Sequence, residues 1–282
     1  MKFEIIEATI ANIQAALATG ELTSKQLVLL YLNRIADHDK NGLTLNSVLE
    51  INPDALFIAE SLDAERVRLG SRGPLHGIPI MLKDNINTGD KMHTSAGSLA
   101  LANSYANDDA FIVMRLREAG AIILGKANMT EFANMMTVGM PSGYSSRGGQ
   151  VLNPYNISTP TGGSSAGSGV AVAANFCTAS IGTETSGSIL NPANLSSTVG
   201  IKPTVGLVSR TGILPLSNTQ DTAGPIARTV KDAVLLLQGI VGFDSEDASM
   251  GTGLGRQHSG YSQFLDKDGL QGARIGIPRD YY

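Results

Sequence analysis

Eight of the chain's 32 glycines lie between Gly139 and Gly169, in a stretch poor in charge and rich in Ser, Thr, Asn and Pro. Glycine at that density lets a backbone take conformations other residues resist. A flexible linker has a similar composition, but this stretch runs directly into the apolar segment Gly169-Val170-Ala171-Val172-Ala173-Ala174. We read it as ordered, functional backbone inside a domain. The rest of the chain supports that reading: 282 residues, 42% hydrophobic and 16% charged, can bury a large core. We expect residues 1–282 to form a single domain.

Charge and cysteine usage narrow the function classes. Lys and Arg total 21 against 25 Asp and Glu, a net charge of -4, and no long basic run could neutralise a phosphate backbone. Nucleic acid is not an expected partner. The single cysteine, Cys177, allows no internal disulfide and lacks the clustered thiolates of a zinc site, so it reads as core packing. The opening Met1-Lys2-Phe3-Glu4-Ile5-Ile6-Glu7 mixes charge with apolar residues, and no later apolar run approaches the ~20 residues of a membrane span. The expectation is a soluble cytoplasmic protein with no membrane partner.

Periodicity predicts helices over 5–17 and 24–37, the second capped by Thr23 or Ser24. Gly77-Ile78-Pro79-Ile80-Met81-Leu82 suits a buried strand that delivers Lys83 and Asp84 at its end. Helix then strand recurs three times: 108–119 with 121–124, 167–176 with 178–182, and 230–241 with 274–277. That alternation predicts an α/β protein with helices on the faces of a sheet.

Two short motifs invite readings their surroundings oppose. Gly120-Ala121-Ile122-Ile123-Leu124-Gly125-Lys126-Ala127 fits a phosphate loop, but its four middle positions are strand-forming and Ala127 stands where a metal-binding hydroxyl belongs. Gly163-Ser164-Ser165-Ala166-Gly167 fits a nucleophile elbow around Ser165. That enzyme needs a downstream histidine, and the one on offer, His258, sits in the Gly-rich loop-like run 255–260.

A larger constellation needs no histidine. It combines Lys83, the run Gly162-Gly163-Ser164-Ser165-Ala166-Gly167-Ser168, and Gly182-Thr183-Glu184-Thr185-Ser186-Gly187-Ser188-Ile189. Together with Gly200-Ile201-Lys202-Pro203-Thr204 and Asp221-Thr222-Ala223-Gly224-Pro225, it resembles the amidase signature family, serine hydrolases of carboxamides with a Ser-Ser-Lys triad. The spacing agrees, since 188 − 164 = 24 residues separate the two serines. The resemblance implies an α/β fold with a mixed central sheet covered by helices on both faces. Family members are much longer, so the fold is expected to be incomplete here.

By that resemblance Ser188 is the nucleophile, Ser164 relays its proton, and neutral Lys83 is the base; a cis peptide between Gly163 and Ser164 is implied as well. A lysine with its ordinary pKa of about 10.4 stays protonated at neutral pH, so the role requires a fall to roughly 7 to 8. Burial among Ile78, Ile80, Met81 and Leu82 would supply it, with Asp84 turned to the other side of the strand. Thr185, Ser186 and Gly187 would direct backbone N–H groups at an oxyanion. Ser186 occupies a position where the family has Gly, and is strained if that position needs positive φ. Ser165 and Ser168 are expected to satisfy turn amides or cap the following helix. No metal or organic cofactor is implied. Glu184 replaces a common Asp, and Leu190 replaces a frequent Arg that could pair with a substrate carboxylate, which favours a neutral small-molecule or peptide amide. Asp84-Asn85-Ile86-Asn87 and Arg147-Gly148-Gly149-Gln150 look most like the peptide amidase branch. Two other readings stay open: a glutamine-dependent amidotransferase component, and a non-catalytic remnant that associates with itself or with a complementing chain.

Overall fold

The computed structural model describes residues 3–253, 255, 257–258, 260–277 and 279. The first two helices follow from local capping. Helix α1 (Ile10–Thr19) starts at Thr9, whose side chain accepts from the Asn12 N–H while the Asn12 side chain reaches back. It therefore begins five residues later than the periodicity predicts. Helix α2 (Ser24–Ile35) repeats the device with Thr23 and Gln26. Its inward face buries Leu27, Val28, Tyr31 and Ile35, and the Tyr31 hydroxyl pairs with Thr178 Oγ1 at 3.1 Å.

Strand β1 (Val48–Ile51) and helix α3 (Ala55–Leu69) precede β2 (Pro79–Lys83), and α4 (Phe111–Glu118) leads into β3 (Ile122–Ala127). A two-residue hairpin pairs β4 (Tyr144–Ser145) with β5 (Gly149–Gln150). Beyond it come α5 (Ala166–Ala173), β6 (Ala179–Glu184), α6 (Leu190–Leu195), β7 (Val199–Gly200), β8 (Thr222–Ala227) and α7 (Val230–Ile240). Six strands form one sheet in the order β1-β3-β2-β6-β8-β7. β2 lies between β3 and β6 and parallel to both, whereas β1, β7 and β8 run antiparallel to their neighbours. The sheet is mixed, as expected.

Every residue of β2, β3, β6 and β8 is buried. Because strand side chains alternate between faces, both faces must be covered. Helix α5 packs on β2, β3, β6 and β8, while α4 and α7 pack on each other and against β3, β6 and β8.

Beyond the late start of α1, the sequence reading expects one strand that the structure lacks and leaves out several elements that it has. Residues 274–277 form no strand, and Ile275 and Ile277 are exposed. β8 is a strand despite its Gly-Pro pair: the Pro225 carbonyl accepts from Ile201, beyond the end of β7, so the missing proline N–H breaks no ladder bond there. Helix α3 is built on a narrow inner stripe of Ala55, Ala59 and Leu62, while Phe57, Val67 and Leu69 face solvent.

Candidate active site

The carboxyl ends of the parallel neighbours β2 and β6 bring the predicted residues together, the place where open α/β sheets bind ligands. β2 ends on Lys83, which is fully buried. Its Nζ donates to Ser164 Oγ at 2.7 Å, to Thr183 Oγ1 at 2.9 Å and to the Thr183 carbonyl at 3.1 Å. Burial lowers the Lys83 pKa to about 7, against the opposing pull of the Asp221 and Glu184 carboxylates. The amine is therefore close to half neutral at physiological pH. Asp84 turns away, as strand alternation demands: its Oδ2 accepts from Ser95 Oγ and from the Gly97 N–H.

Ser164 stands at the entry to α5, and the Gly163–Ser164 peptide is cis. Ser165 and Ser168 act on β6 and do not cap the helix. Ser165 Oγ accepts from the Thr183 N–H and donates to the Thr183 carbonyl, and Ser168 Oγ donates to the Ile181 carbonyl. Close packing makes this possible, since a Cβ on Gly167 would lie 2.3 Å from the Asn128 carbonyl oxygen. The Ser165 N–H donates to the Ser188 carbonyl at 3.2 Å, stitching the two serine-bearing segments together. Ser188 is 9% exposed, and its hydroxyl makes no hydrogen bond to Ser164 among the described residues.

The turn between β6 and α6 is held by Glu184. Its Oε1 accepts from the Gly187 N–H, and its Oε2 from the Ile189 and Leu190 N–H groups. The Gly187 N–H is thus already engaged, which leaves Thr185, Ser186 and Ser188 as turn N–H donors without a partner among the described residues. Positive φ falls on Gly187, at 79°, so Ser186 carries no strain. Thr185 Oγ1 donates to Asp221 Oδ1.

A cavity of about 370 Å³ opens over this floor. Ser164, Thr183, Glu184 and Thr185 lie at its base, Met129, Phe132, Met135 and Met136 along one wall, and Ile213, Leu214, Pro215 and Leu216 along another. Asn85 and Asp221 also line it; Leu190 does not. Thr183 and Asp221 belong to motifs noted in the sequence, but their contacts depend on pairing across β6 and β8, which no local pattern reveals. The methionine and phenylalanine wall carries no sequence signal.

The other two motifs resolve as structure. The G-x-x-x-x-G-K run is the buried strand β3, and Lys126 Nζ donates to the Ile86 carbonyl and Thr94 Oγ1. Ser165 bonds to Thr183 and not to a histidine, while His258 stacks edge-on with Tyr261 and Phe264. Cys177 is buried and its thiol is pushed up to about 12. Among the described residues no helix is long and apolar enough to cross a membrane.

The site is thus a mixed α/β sheet with a buried lysine bonded to a serine at its strand ends and a second serine stitched beside it. The chain belongs to the Amidase family, whose model matches residues 26–282. It is similar to the native peptide amidase from Stenotrophomonas maltophilia, with a TM-score of 0.92 and 53% identity over 94% of this chain and 54% of that one. It is 51% identical over 278 residues to an Arabidopsis thaliana protein named as an amidase, covering 98% of this chain and 54% of the relative. It is also 42% identical to a glutamyl-tRNA(Gln) amidotransferase chain of Halorhodospira halophila, over 98% of this chain and 54% of that protein. The chain thus spans about half the length of the curated relatives it matches.

Proposed function

We propose that this chain carries the catalytic machinery of a carboxamide hydrolase that converts R-CO-NH2 and water to a carboxylic acid and ammonia. The observation that carries the reading is the 2.7 Å hydrogen bond between Lys83 Nζ and Ser164 Oγ, made in full burial beneath the cavity. A neutral amine there keeps two N–H groups for the Thr183 carbonyl and hydroxyl and turns its lone pair to the Ser164 hydroxyl. Ser188 Oγ attacks the amide carbonyl and forms the C–O bond; its proton goes to Ser164, whose own proton goes to Lys83. Run backwards, the relay delivers that proton to the departing nitrogen, the C–N bond breaks, and ammonia leaves. Water then attacks the acyl-serine by the same path, releasing the acid and restoring Ser188. The N–H groups of Thr185, Ser186 and Ser188 are the donors that remain for the oxyanion.

The apolar walls favour a neutral or peptide amide, since Arg210, the cation that lines the cavity, is already engaged by both oxygens of Asp247. Likeness to the Stenotrophomonas peptide amidase supports the same choice. Identity with the Halorhodospira amidotransferase chain supports a second reading, in which glutamine is the amide and a partner chain consumes the ammonia. Ammonia release from small amides, amidated peptides and glutamine, assayed with wild type, Ser188→Ala and Lys83→Ala, tests both. Turnover of neutral amides lost in both variants supports the hydrolase; glutamine as sole substrate supports the second reading; no turnover by wild type sinks both for this chain alone and favours a remnant that needs another chain.

A further inference from the structure

Asp221 is the residue that ties the cavity wall to the serine-bearing turn. One oxygen, Oδ1, accepts the Thr185 hydroxyl. The other, Oδ2, accepts the Leu216 N–H at 2.6 Å and the Ser217 N–H at 2.7 Å, and the Asp221 N–H closes the loop on the Ser217 carbonyl at 3.1 Å. The opposite end of the same wall is strapped to the lysine segment, because Ile213 bridges to Ile86 and the Leu214 N–H donates to the Asn85 carbonyl. The next residue, Thr222, pairs in register with Glu184, and Ala223 with Thr183, whose carbonyl and hydroxyl hold the Lys83 amine. Asp221 therefore sits where the wall and the turn meet, at the end of the strand pair that holds the amine.

We propose that Asp221 is a positioning residue of this site, whose one carboxylate braces the 213–217 wall against the Thr185 turn and fixes a negative charge towards the Lys83 amine. The proposal rests on the hydrolase reading for its functional meaning, but not for its test. Two carboxylates act on Lys83, Asp221 first and Glu184 second. Glu184 is already held by three backbone N–H groups. Asp84 and Lys126 have their own partners beside β2, at Ser95 and Gly97 and at Ile86 and Thr94. Arg210, which also lines the cavity and whose pKa Asp221 helps to raise, is engaged by Asp247 with both oxygens. A bare buried amine would lose its proton too readily to carry it between steps; a fixed anion nearby keeps the ammonium form accessible while burial keeps the neutral form accessible.

The experiment is an NMR titration of the whole chain with labelled lysine, Lys83→Met assigning the resonance. Asp221→Asn is isosteric: its oxygen can keep the Leu216 and Ser217 bonds while its NH2 donates to Thr185 Oγ1, so the brace survives and the charge goes. The Lys83 midpoint is expected to fall in Asp221→Asn, and to stay nearer wild type in Asp221→Glu. A second measurement needs no variant. In wild type the Asp221 carboxyl carbon should show an inflection at the Lys83 midpoint, since coupling between two groups is mutual. A Lys83 midpoint unchanged in Asp221→Asn, or an Asp221 carboxyl carbon blind to the Lys83 transition, overturns the proposal. Neither readout uses turnover, so a wild type that releases no ammonia counts against the hydrolase reading and leaves this one to the titration.

Discussion

Lys83 and Asp84 are consecutive in the chain, at the end of β2 and just past it, and yet reach different partners: the amine reaches Ser164 and Thr183, and the carboxylate reaches Ser95 and Gly97. A carboxylate on the same face would hold the amine charged. With Asp84 held by Ser95 and Gly97, burial is left free to bring the lysine to about 7.

That value sets a direction for pH dependence. Below about pH 7 Lys83 is protonated and unable to accept a proton from Ser164; above it the neutral amine accumulates. The rate of amide hydrolysis should rise with pH through an apparent midpoint near 7 and then level. A profile flat from pH 5 to 9 would remove Lys83 from the base role.

Replacing Ser188 or Lys83 by Ala should lower kcat by several orders of magnitude while leaving the fold in place, because the losses fall on the transition state. Circular dichroism and a thermal melt beside the ammonia assay would check both halves. Near-normal turnover in Ser188→Ala would mean that the nucleophile is misassigned.

The same lysine affects stability with a definite sign. Its folded pKa of about 7 lies below its ordinary 10.5, so between those values the unfolded chain binds more protons and stability rises with pH. Below pH 7 the buried ammonium imposes its full penalty. Lys83→Met should be more stable than wild type near pH 6, by denaturant melts, with the gap closing towards pH 10. Lys126, lowered to about 8 by burial, contributes in the same direction and is common to both proteins. A gap that widens with pH would contradict the assignment.

Glu184→Ala strips three backbone N–H groups around Ser188 of their acceptor, a loss of about 1–3 kcal/mol for the buried ones in a urea titration. Glu184→Gln, which keeps one oxygen, should fall between it and wild type.

Gly167→Ala should fail to fold, since its Cβ would meet two backbone carbonyl oxygens, of Asn128 at 2.3 Å and of Ser47 at 2.4 Å. Gly251→Ala, with nothing within 4 Å and no positive φ, is the matched control and should melt like wild type. Soluble expression with a two-state melt distinguishes them.

What was legible in the sequence was whatever local rules fix. Capping residues and apolar periodicity mark α2, β2 and β3, and the glycine-flanked serines mark the site. What escaped depends on neighbours. Pro225 looks like a loop residue until Ile201 is seen opposite it; the apolar Phe57 and Val67 hide the inner stripe of α3; and Thr183 becomes the second anchor of Lys83 only because β2 and β6 run side by side. The role expected of the Gly187 N–H fails for a similar reason, since Glu184 reaches it first.

The adjacency of β2 and β6 has a further consequence. Lys83 and the Glu184 turn leave from neighbouring rungs of one ladder, so sliding either would tear hydrogen bonds in the middle of the sheet. The cavity walls at 132–136 and 213–216 belong to a short 3-10 turn and to loops outside that ladder. Shape can therefore be rewritten by evolution or by an engineer, loop by loop, with the chemistry underneath kept in register.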